Sequence, residues 1–200
     1  MSRRGALLFA AMCVVWGVPY LLIRVAVREL DPEAVVFGRT AIGALLLLPV
    51  AVWRGLLPQL RGHLKWVLAF TAVELAIPWL LLTRAEQHLS SALSGLLVAA
   101  VPLVGIGISR MLGFREEMTS RRWAGLVVGV AGVAALVGLQ VGHIDMVAVL
   151  EIFVVAVGYA IGPLIQSHRL AQVPSLAVVS ASLAITAVIY APFALTSHPH

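Results

Sequence analysis

Residues 64–83 read LKWVLAFTAVELAIPWLLLT. After Lys65 this stretch holds one charged residue, Glu74, and one helix breaker, Pro78. A helix of about 20 apolar residues crosses about 30 Å of hydrocarbon, so the segment reads as a membrane span. Glu74 then falls ten residues in, near the bilayer midplane.

Six further stretches have the same character, giving seven expected spans: 6–23, 34–53, 64–83, 89–109, 123–139, 146–165 and 174–196. A strand of a transmembrane barrel would alternate polar and apolar residues, whereas Gly125 to Val137 is continuously apolar and rich in glycine. Helices satisfy their own backbone inside lipid, so the expected fold class is an all-α, polytopic membrane bundle. Composition agrees. Of the 200 residues 61% are hydrophobic and 12% charged, where a soluble globule typically carries about 25% charge. Mean hydropathy is +1.01 and the sequence pI about 10.3. The basic residues are spread between apolar runs, which excludes a nucleic-acid-binding face and makes them a topology signal. Cys13 is the single cysteine, so no intrachain disulfide or thiolate metal site can form. Asparagine is absent and Lys65 is the only lysine, a pattern of GC-rich bacterial genomes. The N-terminal run resembles a signal peptide but is too long and lacks a small-x-small cleavage site before Arg24, so it reads as a retained span.

Lys and Arg resist translocation and set orientation. Arg3, Arg4, Arg54, Arg61, Lys65, Arg110, Arg115, Arg121, Arg122 and Arg169 fall on one side; Arg24, Arg28 and Arg84 fall on the other. The N-terminus is therefore expected in the cytoplasm, with Arg39 inside the second span.

Shifting the sequence by 142 residues lays Leu22-Ile23 on Leu164-Ile165 and Pro32 on Pro174, and brings Pro49 within one residue of Pro192. Five spans separate the copies, so the second enters the membrane in the opposite sense. Such inverted repeats build many secondary transporters. Only two spans of the second copy precede Ser197-His198-Pro199-His200, so the chain reads as truncated. The expected units are 1–140, a full five-helix repeat, and 141–200, a partial one.

Trp16-Gly17 with Pro19-Tyr20, Arg39, Pro78-Trp79-Leu80-Leu81, Ala85-Glu86-Gln87, Ser90-Ser91-Ala92, Pro102, Glu116 before Met118-Thr119, and Gly125-Leu126-Val127-Val128-Gly129 continuing to Gly132-Val133 occur in this order. Together they resemble the EamA-type drug/metabolite transporters, over nearly the whole chain. The resemblance implies ten helices in two inverted units that carry small metabolites, amino acids or drugs, usually outward and coupled to an ion gradient or exchange. It also implies a bacterial inner-membrane location. The sequence departs from that pattern by lacking the last three helices.

Intramembrane polar groups are the candidate pathway. A carboxyl group at the midplane is costly in lipid and normally faces the protein interior. In an α-helix Pro78 withholds its donor from the Glu74 carbonyl, so a carboxyl and a free carbonyl oxygen would share one level of a kinked helix. That pair suits an ammonium group, a cation or a coupling proton. Arg39, about one and a half turns below the outer surface, would snorkel outward, clamp a substrate carboxylate or pair with Glu74. Trp16 and Tyr159 hold nearly equivalent places in the two copies and could stack on a substrate or its ammonium. The candidate pathway residues are thus Glu74, Arg39, Trp16, Pro78 and Tyr159. Glu151 reads as interfacial, and Trp53, Trp66 and Trp123 as interfacial anchors. Gly125-x-x-x-Gly129 and Gly158-x-x-x-Gly162 read as helix-packing motifs.

No cofactor or metal site is expected, since the six histidines fall in loops or at the C-terminus without metal-ligand spacing. The expected partners are the lipid bilayer, a small-molecule substrate, a proton, and a second copy or the missing helices. Two other classes compete. A seven-helix receptor or sensor, or a membrane scaffold, fits the span count, but a retinal protein needs a lysine in a late span. An intramembrane serine protease needs a Ser–His pair within the membrane, and Ser94-Gly95 lacks the nucleophile-elbow context. The expectation is a transporter rather than an enzyme.

Overall fold

The computed structural model describes residues 3–111, 113, 119–139 and 145–196. Arg115, Glu116, Met118 and Ser197-His198-Pro199-His200, named above, lie outside them. Among the described residues the regular structure is entirely helical. The elements are α1 (Arg3–Ala26), α2 (Pro32–Trp53), α3 (Leu64–Phe70), α4 (Ile77–His88), α5 (Ser91–Val98), α6 (Val101–Met111), α7 (Ser120–Leu139), α8 (Met146–Arg169) and α9 (Ser175–Thr196). A 3-10 turn, Leu57–His63, precedes α3, and a π-helical turn, Thr71–Ala76, joins α3 to α4. Gly5–Ala26, Pro32–Trp53, Leu57–His88, Ser91–Met111, Met146–Arg169 and Ser175–Thr196 are each long and apolar enough to cross a membrane. α7 stands where the fifth span is expected.

Local chemistry explains the boundaries. Asp31 precedes Pro32, whose fixed φ and missing N–H suit the first turn of α2. Asp145 caps α8 by accepting from the Val147 and Ala148 amides at 2.8 and 3.4 Å. Ser90 accepts from the Leu93 amide at 3.3 Å and starts α5. The expected third span continues past Thr83 to His88, since Arg84, Glu86 and Gln87 are good helix formers. The expected fourth span is broken at Ala99 and Ala100, because Pro102 cannot donate into a helix continuing from α5.

The π-helical turn corrects one expectation. The Ile77 amide bonds the Ala72 carbonyl, five residues back. In that register the donor missing at Pro78 is missing from the Val73 carbonyl, not from the Glu74 carbonyl as in an α-helix.

Two packing seams hold the bundle. α2 lies along α9, with Thr40, Ala44, Ala177, Leu183 and Thr186 buried. A Cβ on Gly43 would stand 3.1 Å from the Leu183 side chain, so glycine permits the close approach. α8 packs on α4 and the π turn. Here a Cβ on Gly158 would overlap the Val73 carbonyl oxygen and meet the Pro78 ring, and one on Gly162 would overlap the Glu74 carboxylate. The Gly158-x-x-x-Gly162 motif therefore packs as expected, on the irregular turn, and brings the Gly158 backbone to the carbonyl that Pro78 leaves without a donor. Gly129 meets Leu103 of α6. Buried hydroxyls tie the seams across: Thr71 Oγ1 to Ser182 Oγ at 2.8 Å, and the Tyr190 hydroxyl donating to the Ala76 carbonyl at 3.0 Å.

α1 and α2 have 24 and 22 residues, as do α8 and α9. Each carries an internal proline late in the helix: Pro19, Pro49, Pro163 and Pro192. Lys65 at the start of α3 and Arg169 at the end of α8 both stack on Trp66, at 5.4 and 4.6 Å, and Arg110 lies 5.0 Å over Trp123. Arg84 meets Glu151 at 3.5 Å and His88 meets Asp145 at 3.7 Å, joining α4 to the start of α8.

Candidate functional site

Between α1, α2, the α3–α4 rod, α5, α8 and α9 lies a cavity of about 1100 Å³. Its walls are mostly apolar, and Trp16, Arg39, Glu74, Trp79 and Tyr159 line it. Four of the five expected pathway residues, from four different spans, thus meet on one space. The fifth, Pro78, does not line it; its ring faces Gly158 in the α4–α8 seam.

The π turn places Glu74. Winding Thr71–Ala76 more loosely than an α-helix rotates the following turns, and the carboxylate then lies against Gly162, where no side chain stands in its way. Its Oε2 is buried without a hydrogen-bond partner. A buried carboxyl oxygen left without a donor costs free energy until a ligand, water or proton engages it.

Arg39 takes neither of the simplest roles expected of it. Its guanidinium stacks over the Trp79 ring, 4.2 Å from the centroid, rather than snorkelling to the surface. Arg39 and Glu74 share a cavity without forming an ion pair. Arg39 Nη1 is buried and has no hydrogen-bond partner. Stacking spends the face of the guanidinium and leaves its N–H edge for another group. Arg39 also acts electrostatically on Tyr20, Glu86 and Tyr159. Tyr159 stands beside Trp79, and Trp16 presents its indole from α1.

One polar group in this region was not singled out from the sequence. Glu86 is fully buried (0% exposed), with Oε1 lacking a hydrogen-bond partner. Arg24 donates to its main-chain carbonyl, and its Oε2 lies 3.3 Å from Ser91 Oγ. Read linearly, Glu86 belongs to a polar loop, Arg84-Ala85-Glu86-Gln87-His88. The available signal was helical phase: Glu86 is four residues from Leu82 and three from Thr83, both buried. Glu151, in the second turn of α8, pairs with Arg84.

Comparison with known proteins gives the architecture a family. A family model described as the EamA-like transporter family matches residues 3–138. The Bacillus subtilis (strain 168) protein named "Uncharacterized transporter YvbV" is 31% identical over 190 residues, covering 94% of this chain and 61% of that protein. The Escherichia coli (strain K12) protein named "Uncharacterized inner membrane transporter YedA" is 32% identical over 128 residues, covering 63% of this chain and 41% of that protein. This chain thus spans less than two thirds of the length of either relative. A solved crystal structure shares the fold, with a TM-score of 0.66 at 21% identity over 98% of this chain and 68% of the other. By the family match over most of its length, carried on an all-helical bundle of membrane-spanning length, the chain belongs to the EamA-like transporter family.

Proposed function

We propose that the cavity is the substrate path of a proton-coupled secondary transporter that exports small metabolites, amino acids or drug-like molecules across a bacterial inner membrane. One observation carries this reading. Glu74 and Arg39 both bring a buried, unpartnered polar atom to one apolar-walled cavity without pairing with each other. Two such groups are expensive to maintain in a structural core and suit a ligand that supplies both partners. Trp16 and Tyr159 would hold the apolar or cationic part of that ligand, and Glu74 would also take the coupling proton. Pro78 serves indirectly, through the donor it lacks beside the π turn that aims Glu74.

The N-terminus is placed in the cytoplasm on the ten-to-three distribution of Lys and Arg. Residues 1–140 form the first unit, and 141–200 the start of an inverted second one. Equal helix lengths and matching late prolines in α1–α2 and α8–α9 support that division. The bilayer is the medium. A second copy of the chain, or the three remaining helices of a complete second unit, is the proposed further partner.

The test reconstitutes the 200-residue chain into proteoliposomes and follows a pH-sensitive dye inside them as a mixture of L-amino acids, and separately ethidium, is added under an imposed pH gradient. Solute-dependent proton movement that disappears in Glu74→Gln supports the reading. Wild-type movement by Glu74→Gln at every pH assigns the carboxyl a structural role. No movement with any solute rejects transport by this chain on its own.

A further inference from the structure

We propose that Glu86, Ser91 and the Tyr20 carbonyl form a proton-operated latch that ties α1 to the α4–α5 corner, with Glu86 as the proton-binding group. The latch rests on reading the adjoining cavity as a transport path, and it adds a second proton site, away from Glu74, that governs access to that path.

The argument starts from one hydroxyl between two acceptors. Ser91 Oγ lies 3.2 Å from the Tyr20 main-chain oxygen and 3.3 Å from Glu86 Oε2. A serine hydroxyl has one hydrogen to donate, and a carbonyl oxygen can only accept. With Glu86 ionised, the single Ser91 hydrogen is shared between the two acceptors or given to one of them. Each contact has a hydrogen of its own in the order Glu86 O–H to Ser91 Oγ, and Ser91 O–H to the Tyr20 carbonyl.

The surroundings of Glu86 agree with a neutral carboxyl. The side chain is fully buried, and its other oxygen has no hydrogen-bond partner. Arg24 directs its Nη1 to the Glu86 main-chain carbonyl. The charged or titratable groups facing it are Tyr20 and Arg24 from α1 and Arg39 from α2. The sole carboxylate of α8, Glu151, is engaged by Arg84.

When the Glu86 proton passes to water, the Ser91 hydroxyl turns to the carboxylate, because a hydrogen bond to a charged acceptor is stronger than one to a carbonyl. The Tyr20 carbonyl keeps its bond within α1 and loses its tie to α5. That tie matters because α1 is weakly held: 6% of its apolar stretch is buried, and it packs chiefly on α4 and α5. Tyr20, Ser91 and Gly95 line the cavity, so freeing α1 here opens that wall.

The experiment uses the purified 200-residue chain in detergent with the exposed Cys13 changed to Ala. Gly95→Cys reports on the wall, since a Cβ there has its nearest neighbours in the Tyr20 ring at 3.9 Å. Gln59→Cys, on the exposed 3-10 turn, corrects for the intrinsic pH dependence of maleimide labelling. The ratio of the two labelling rates is expected to rise about tenfold between about pH 5 and about pH 9, the worth of one such hydrogen bond. Glu86→Gln, whose amide N–H donates to Ser91 as the acid does, holds the ratio at its acid value at every pH. Ser91→Ala, which removes the tie, holds it at the alkaline value. A parent ratio that does not change with pH, or a Ser91→Ala ratio that stays at the acid value, overturns the latch. Labelling needs no transport, so a titrating ratio without solute-driven proton movement rejects the transport reading alone. The converse result rejects the latch alone.

Discussion

The Glu74 carboxylate rests against the backbone of Gly162, at a point where a Cβ would overlap Oε2. One turn earlier on α8, Gly158 makes the same kind of approach to the Val73 carbonyl and the Pro78 ring. The two glycines are therefore the mould in which the π turn and its acid sit, and side chains added there test the arrangement directly.

Gly158→Ala is expected to destabilise the chain by about 1–3 kcal/mol, because the overlapping atom is backbone and cannot rotate away. Gly125→Ala, with nothing within 4 Å of its new Cβ, should change stability by less than about 0.5 kcal/mol. Thermal unfolding in detergent, followed by helical circular dichroism, compares them. Equal melting temperatures for the two variants would contradict the packing.

Gly162→Ala should act on the acid more than on the fold, since the carboxyl group can swing away at a cost of about 1 kcal/mol in rotamer strain. The expected outcome is a melting temperature close to that of the parent with solute-driven proton movement reduced at least about tenfold, about 1.4 kcal/mol at the barrier. Parental transport by Gly162→Ala would show that the position of the carboxyl group is unimportant.

Arg39 stacks on Trp79 and forms no ion pair with Glu74, which sets the sign of two double-mutant cycles. Arg39→Gln with Trp79→Leu should show a coupling of about 1 kcal/mol in unfolding free energy. Arg39→Gln with Glu74→Gln should be additive within about 0.5 kcal/mol. Strong coupling in the second cycle would point to a direct pair.

The Tyr190 hydroxyl donates to the buried Ala76 carbonyl where the π turn meets α4. Tyr190→Phe removes the donor and keeps the ring, so the expected loss is about 1–2 kcal/mol. An unchanged melting temperature would mean that another donor reaches this carbonyl.

Reporter fusions after Arg61 and Arg115 should report the cytoplasm, and fusions after Arg28 and His143 the outside. The reverse pattern would invert the proposed orientation without altering the bundle.

The sequence by itself determined the class of fold and four of the residues that line the cavity. Apolar length answers to bilayer thickness, so span positions follow from local composition and the helices begin within a few residues of the expected places. Polar groups inside apolar runs stand out for the same reason, which is how Glu74, Arg39, Trp16 and Tyr159 were legible. Tertiary structure decided which of those groups touch. The sequence held no sign that Arg39 would turn its face to Trp79, because both side chains satisfy lipid-depth rules in several rotamers and only the meeting of α2 with α4 selects one. Nor did it foretell the π turn, since Pro78 fixes that a donor is missing while the approach of α8 through Gly158 and Gly162 sets which carbonyl goes without. Glu86 was hidden for a related reason: its neighbours in sequence are polar, and its burial is conferred by α1 and α5 folding over it.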